Sequence, residues 1–559
     1  MSMRALGAAV KIVGRRTARR YLPIGIVASA LAAFVRAGGR PSPRARKTPY
    51  RREDHAKNVL RALFAGLVLA GSMTGTSEAT SPASVAWAAC GEYGGECATI
   101  KVPLDYADPS GPTLDLAIGR LKALNPAKRI GVLVVHPGGP GASGINPFIL
   151  GNAIPAESAL RQYFDLVSLD PRGVGRSSPI QCSVDVLDQM PATYPADEAE
   201  YQTWVAYNAK LSKDCREHSG AIFDHVDTTS ATRDVDSLRA ALGERKISFF
   251  AISYGTQVGQ QYAELFPGRL RALAIDSNMD HSMTSALRYL QTTTEDFEGS
   301  FRAFAQWCGT TAACPLHGRD VSAVWDSLHD KAAAGTLTDP GSGLPIQAEQ
   351  LRVQLFDAMQ DPAGDWFAIA AYLKGLADGQ AAPAPAKAAT ATGESANYAY
   401  PVIWCSDWKW QVSGFKQLDD YRKRLEATAP HTKLSPFWSD VISCLGWQGE
   451  VTNPQHRLDV SGAPPVLLPK SRYDVGTPAA WNYAVATQLP KTRVLEYTGV
   501  GHGQYRNSLC AREHIEKYLT SLVLPPAGTR CAPEYPSQPA TALKAGEPNP
   551  LSVTGRPLH

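Results

Sequence analysis

The sequence predicts an α/β fold: a mostly parallel central sheet flanked by helices, with a largely helical cap inserted before the last two strands. Three observations predict it. Short apolar runs rich in β-branched residues recur between Gly, Pro and Asp. Helical segments follow several of these runs, the alternation expected of a parallel sheet covered on both faces. And about 190 residues separate the runs ending near Ile275 and beginning near Pro465, where a crossover needs only about a dozen. The composition is that of an ordinary globular protein, with 559 residues, 44% hydrophobic and 19% charged, enough for one large core with an inserted domain.

The chain opens on a basic leader. Residues 1–88 hold 15 Lys and Arg against 3 Asp and Glu, which leaves 41 against 49 for the remainder. The basic excess is thus confined to the leader, and no basic, aromatic-interleaved patch follows it, so nucleic acid is not an expected partner. Two apolar stretches, 21–35 and 59–70, are shorter than the roughly 20 residues a bilayer span needs. The second is followed by small polar residues and by Ala86-Trp87-Ala88, an A-x-A pattern cleavable before Ala89. Residues 1–88 therefore read as a signal region, with export to the periplasm or medium and no stable membrane association once it is removed. An N-terminal anchor is the competing reading, and Arg15-Arg16 and Arg19-Arg20 permit a twin-arginine route.

Residues 89–280 form the first part of the expected core. Runs 98–103 and 114–121 alternate apolar and polar residues, as in an antiparallel start to the sheet. Runs 130–135, 163–169, 247–252 and 270–275 read as buried strands, with a helix at 255–265. Residues 281–455 form the expected cap, helical at 284–308, 321–333 and 347–360, with an Ala/Pro/Thr-rich mobile loop at 380–396. Strands at 465–468 and 492–497 and a helix at 478–487 complete the core over 456–531. The Pro-rich tail 532–559 lacks periodicity and is expected to be disordered.

All ten cysteines, Cys90, Cys97, Cys182, Cys215, Cys308, Cys314, Cys405, Cys444, Cys510 and Cys531, follow the expected cut. An even number after an export signal points to disulfides. Sequential pairing would close five short or medium loops, but spacing alone leaves the connectivity open. The competing metal-site reading lacks C-x-x-C or H-E-x-x-H spacing, so no metal is expected.

Three segments carry chemistry. Ser253 stands where the apolar run 247–252 passes straight into a helix, a junction that projects a nucleophilic hydroxyl from the sheet edge. Gly255 supplies the small residue two positions on, whereas Ala251 stands where glycine is usual two positions before. The alternative is a serine that merely caps the helix. His136-Pro137-Gly138-Gly139-Pro140-Gly141 follows the run 130–135. The N–H groups of Gly138 and Gly139, with that of Tyr254, are the candidate oxyanion donors. Gly139, Gly141 and Gly144 also satisfy G-x-G-x-x-G, with Asp165 at the distance of a ribose-binding acid. Pro140 within that fingerprint and the export signal speak against a dinucleotide, and no cofactor is expected. Asp474 and His502 follow successive strands, so that Ser, Asp and His occur in the order expected of an α/β-hydrolase. Asp474 as a simple helix cap is the alternative. In this reading His502 takes the proton of Ser253, Asp474 orients His502, and an acyl-enzyme forms.

His136-Pro-Gly-Gly-Pro-Gly141, Asp170-Pro-Arg-Gly-Val-Gly-Arg-Ser177, Ser253-Tyr-Gly-Thr256 and Gly499-Val-Gly-His-Gly503 together resemble the motifs of the secreted bacterial tripeptidyl aminopeptidases and proline iminopeptidase-like serine peptidases, in that family's order from Cys90 to Cys531. The resemblance implies the α/β-hydrolase fold, sequential disulfides, and release of short peptides from substrates with free N-termini. A carboxylesterase or amidase with the same triad is the alternative. The departures are Ala251 and the bulky Ser471-Arg-Tyr-Asp474 approach to the acid, although Asp474-Val-Gly-Thr-Pro478 remains recognisable. An aminopeptidase needs an anion for the substrate's ammonium group. Glu295, Asp296 and Glu298 are the candidates, against the alternative of a solvated helix face. Asp170 and Arg172 read as a turn that supports the site.

Overall fold

The computed structural model describes residues 85–381 and 395–539. Residues 1–84, which carry most of the expected leader, residues 382–394 of the expected mobile loop, and residues 540–559 of the tail lie outside the described residues.

Twelve strands follow in chain order: β1 Ala88–Cys90, β2 Gly95–Pro103, β3 Thr113–Leu121, β4 Gly131–His136, β5 Phe164–Leu169, β6 Gln181–Ser183, β7 Ile247–Ile252, β8 Leu270–Asp276, β9 Ser395–Asn397, β10 Val466–Tyr473, β11 Thr492–Val500 and β12 Arg530–Cys531. Ten of them form one sheet in the order β1-β2-β3-β5-β4-β7-β8-β10-β11-β12. Its first four members pair antiparallel, and from β5 onward every pair is parallel. This is the architecture of an α/β-hydrolase.

The parallel strands are continuous apolar runs because both of their faces are covered. Along β4, Val132 and Val134 join the core beneath helix Gly255–Leu265, which contributes Val258 and Tyr262. Leu133 and Val135 point the other way, into the core beneath helix Leu509–Ser521 with Ile515 and Tyr518. The strand order reverses at β4, whose neighbours are β5 on one side and β7 on the other. Loops leaving the carboxyl ends of β4 and β7 therefore diverge and open a crevice, the usual ligand position in such sheets.

Between β8 and β10 the chain builds the cap, including helices Ala286–Thr310, Val321–Ala333, Ala348–Gln360, Pro362–Asp378, Ala399–Asp407, Phe415–Thr428 and Trp438–Ile442. The cap also recruits a segment that the sequence reading placed in the core. β6 pairs antiparallel with β9, and the helix Glu198–Ser219 sends Asn208 Nδ2 to the carbonyls of Ile442 and Leu445, both at 2.8 Å.

Three boundaries differ from expectation. Residues 395 and 396, expected in the mobile loop, belong to β9. Residues 534–536 of the tail are packed: the Tyr535 hydroxyl accepts from the Val500 N–H at 3.1 Å, and its ring lies 4.7 Å from that of Trp366. At the other end, Ala88 pairs with Cys97, and the Arg120 guanidinium lies 4.1 Å over the Trp87 ring. A cut before Ala89 would remove a packed tryptophan from this sheet edge.

The cysteines pair sequentially as Cys90–Cys97, Cys182–Cys215, Cys308–Cys314, Cys405–Cys444 and Cys510–Cys531. Cross-links restrict the unfolded chain more as the loop lengthens. Cys405–Cys444 spans 39 residues and Cys308–Cys314 spans 6, which corresponds to about 4 against about 2 kcal/mol in the chain-entropy account. Thermal melts of the two paired Cys→Ser variants should therefore show the larger fall in Tm for Cys405→Ser/Cys444→Ser. Equal or reversed losses would show that loop entropy does not govern these bonds.

Candidate active site

Ser253 follows β7 directly and adopts φ +60°, a left-handed conformation that is uncommon for a side-chain-bearing residue and clusters at functional sites. Its N–H donates to the Asp276 carbonyl at 3.0 Å, and its own carbonyl accepts from the Thr256 N–H at 2.9 Å and hydroxyl at 2.6 Å. The turn is this tight because Gly255 lacks a side chain: a Cβ there would lie 2.2 Å from the Pro137 carbonyl oxygen. Ala251 is accommodated for a related reason. It faces Gly259, whose added Cβ would lie 3.6 Å from that of Ala251 and 3.1 Å from Ile275, so a glycine in the helix makes room for the methyl in the strand. Ser253 does not cap the helix. The N-cap residue is Tyr254, and no side chain caps there.

The loop after β4 lies against this serine. A Cβ on Gly138 would sit 2.8 Å from Ser253 Cβ and 3.0 Å from its Oγ, so only glycine fits. Gly139 (φ +114°) and Gly141 (φ +89°) turn the loop back on itself. Among the described residues the N–H of Tyr254 makes no backbone hydrogen bond, which leaves it free as a donor. The dinucleotide reading of this loop fails on geometry. Asp165 stands at the amino end of β5, where its carboxylate accepts from the Ala123 N–H at 2.9 Å and Arg129 Nε at 2.8 Å, away from the crevice. Asp170 and Arg172 support the turn as expected. Asp170 accepts from the N–H groups of Ile145 and Arg176 and from the Ser143 hydroxyl, and buried Arg172 pairs with Asp234 at 2.7 Å.

Asp474 and His502 meet on the loops after β10 and β11. His502 Nδ1 lies 2.7 Å from Asp474 Oδ1, with both side chains 1% exposed. A Cβ on Gly476 would lie 2.6 Å from His502 Nδ1, so that glycine permits the approach. The Asp474 carboxylate also accepts from the N–H groups of Gly476 (2.8 Å) and Thr477 (2.9 Å) and from the Thr477 hydroxyl (3.1 Å). It is not a helix cap. The first N–H of helix Ala479–Ala486 goes to Asp296 instead, at 3.2 Å.

His502 Nε2 is buried and has no partner among the described residues, so it is the nitrogen available to the Ser253 hydroxyl. No hydrogen bond joins the two; such catalytic contacts often tighten only when substrate binds. Burial works against the imidazolium, but the charge and hydrogen bond of Asp474 outweigh it, with a smaller contribution from Asp276, and the His502 pKa is raised above 6.5. Asp276 is itself pushed up to about 7, by burial first and by the charge of Asp474, against the N–H groups of Gln504 and Tyr505.

The three acids expected to bind an ammonium group do not converge. At about 100° per helical residue, positions 295, 296 and 298 of helix Ala286–Thr310 fan around its axis. Glu295 is exposed and bonded to Gln291 at 2.6 Å. Glu298 accepts from the Thr432 N–H and hydroxyl and from Arg302, all at 3.0 Å. Asp296 accepts from the N–H groups of Asp474 (3.1 Å) and Ala479 (3.2 Å), and burial pushes it up to about 7. Its place is beneath the acid loop, which it anchors to the cap.

Other residues that hold the site carry no motif. The Gln360 carbonyl accepts from the His502 N–H at 2.9 Å, and the Ser277 hydroxyl accepts from the Gly503 N–H, also at 2.9 Å. Sequence reasoning missed both. Only the end of a predicted helix at 360 and of a strand at 275 marked their neighbourhood.

Residues 431–531 match the family described as TAP-like protein. A tripeptidyl aminopeptidase of Streptomyces lividans is 28% identical over 460 residues, covering 79% of this chain and 85% of that protein. The serine protease Hip1 of Mycobacterium tuberculosis is 29% identical over 466 residues, covering 78% and 87%. A carboxylesterase B of Mycobacterium tuberculosis is 28% identical over 465 residues, covering 78% and 86%.

The Asp474–His502 contact makes a prediction about pH. A general base must be neutral, so activity is lost as pH falls through the raised pKa of His502, and the acid limb of kcat/KM should lie above pH 6.5. Asp474→Asn removes the charge that raises it. The limb should then move to lower pH while kcat drops by about 10³- to 10⁴-fold. A limb that stays in place would show that Asp474 does not set the protonation of the base.

Proposed function

As a serine hydrolase of the TAP-like α/β-hydrolase family, this chain is, we propose, a secreted exopeptidase that releases short peptides, tripeptides foremost, from free N-termini. The observation that carries the reading is the enclosure of the nucleophile: Ser253 is only 3% exposed, with the glycine loop packed against it. An enclosed serine admits the end of a polypeptide more readily than the middle of one. The peptidase names of relatives matched over most of both chains support the same class.

In this reading Ser253 Oγ attacks the scissile carbonyl while His502 Nε2 takes its proton and Asp474 stabilises the resulting imidazolium. The N–H of Tyr254, with those of Gly138 and Gly139, holds the oxyanion, each donor contributing about 2.7 to 4 kcal/mol. His502 then protonates the departing amine, the acyl group stays on Ser253, and water activated by His502 releases it. Export is part of the proposal: pairing of every cysteine in disulfides suits an oxidising compartment, and no described helix is long and apolar enough to cross a membrane.

The same enclosure suits a compact ester, and a carboxylesterase is among the relatives, so an esterase is the second reading. Purified protein assayed on tripeptidyl chromogenic amides with free and with blocked N-termini, beside short acyl esters, separates the two. The proposal expects turnover of the free tripeptidyl amide and a loss of about 100-fold or more in kcat/KM on blocking, as when a charge anchor of several kcal/mol is removed. Ester turnover without cleavage of any free peptide would overturn it in favour of the esterase.

A further inference from the structure

We propose that Asp407 is a positioning residue for the reaction, fixing the oxyanion donor Tyr254 through the tyrosine hydroxyl. The inference rests on the reading of Ser253 as nucleophile and of the next N–H as an oxyanion donor.

Asp407 is the last residue of the cap helix Ala399–Asp407 and is fully buried. Its carboxylate collects neutral donors from several separate segments. It accepts from the Thr228 N–H at 3.0 Å and from the Thr228 hydroxyl, from the Tyr254 hydroxyl at 3.2 Å, from Gln257 Nε2 at 3.3 Å and from Asn453 Nδ2 at 2.7 Å. A carboxylate buried this way is costly unless its hydrogen-bonding capacity is filled, and here it is filled chiefly from the core. Among the described residues the Tyr254 hydroxyl is held by Asp407 and by Thr228 Oγ1, which Asp407 also holds. Tyr254 is thereby pinned at both ends: its backbone by the tight turn at Ser253, its ring tip by the cap.

The same helix reaches the other half of the oxyanion hole. A Cβ on Gly141 would lie 3.2 Å from the Tyr400 nitrogen and 3.5 Å from Ala399 Cβ. A helix of this length spans about 13 Å, with the glycine loop at its first turn and Tyr254 at its last. The Cys405–Cys444 disulfide secures it within the cap. Oxyanion donors work only when placed within a few tenths of an ångström, and a displacement of about 1 Å costs about 100-fold in rate. A purely structural clamp between cap and core would affect stability without this selective effect on the chemical step.

The test uses Tyr254→Phe, which removes the hydroxyl and keeps the backbone donor, and Asp407→Asn, which keeps the shape and turns an NH₂ toward the surrounding donors. Activity is measured on an activated aryl ester, so that the outcome does not depend on peptide recognition, with circular dichroism melts to verify folding and Ser253→Ala as control. The expected result is a fall in kcat of about 10-fold or more in each variant with KM changed by less than about twofold, and a double variant no slower than Asp407→Asn alone. Folded Tyr254→Phe that keeps kcat within about twofold, or loses activity through KM only, overturns the proposal. Should Asp407→Asn fail to fold, Tyr254→Phe decides alone. Ester turnover retained by Ser253→Ala would overturn the nucleophile reading and this inference with it, whereas retained kcat in Tyr254→Phe alone overturns only the inference.

Discussion

The buried contact between Asp474 and His502 is the constraint around which the rest of the structure is arranged. A carboxylate 1% exposed is tolerable only with its lone pairs occupied, and Asp474 achieves this with two backbone N–H groups, one hydroxyl and the imidazole. Satisfying that carboxylate dictates the local chain. Gly476 must be small to let the imidazole in, and Thr477 must supply two donors from one residue. The bulky approach Ser471-Arg-Tyr leaves this arrangement intact because its side chains are used elsewhere: Ser471 bonds the carbonyls of Tyr473 and Gly501, and the Tyr473 ring packs where Gly299 has no side chain.

The cap is part of that arrangement and not merely a cover. Asp296 holds the backbone of the acid loop, Gln360 holds the backbone of the histidine loop, and Ala399 and Tyr400 pack against the glycine loop. Asp407 holds the ring of Tyr254. Each segment that the sheet delivers to the crevice thus meets a counterpart from the insertion. Groups held by packing and surrounding hydrogen bonds cost no reorganisation when charge develops, which is the physical content of a preorganised site.

The core of this arrangement was legible in the sequence because it rests on local patterns. Run 247–252 and helix 255–265 declare themselves by apolar continuity and period, the residues of the glycine loop can be replaced by nothing larger, and Asp474 and His502 follow successive strands. What was not legible depends on contacts between distant segments. Asp407 lies 153 residues from Tyr254, and Gln360 acts through a carbonyl that every residue possesses, so neither leaves a pattern. Glu295, Asp296 and Glu298 looked alike as a charge cluster, yet helix geometry sends them to solvent, to the acid loop and to Thr432. The segment with β6 and helix Glu198–Ser219 fell within the expected core, and only its pairing with β9 and the bonds from Asn208 show that it belongs to the cap. The start of the tail was misread because Tyr535 is ordered by Trp366 and Val500, which composition cannot reveal.

The central claim is that the buried His502, oriented by Asp474, activates Ser253 and no other residue. It is tested most directly by reacting the purified protein with a fluorophosphonate and mapping the modified peptide by mass spectrometry, in wild type and in His502→Ala. The account predicts a single adduct on Ser253 and a labelling rate in His502→Ala lower by about 10³-fold or more, the scale of losing a triad base. An adduct on another residue, or labelling of Ser253 at the wild-type rate without His502, would contradict it.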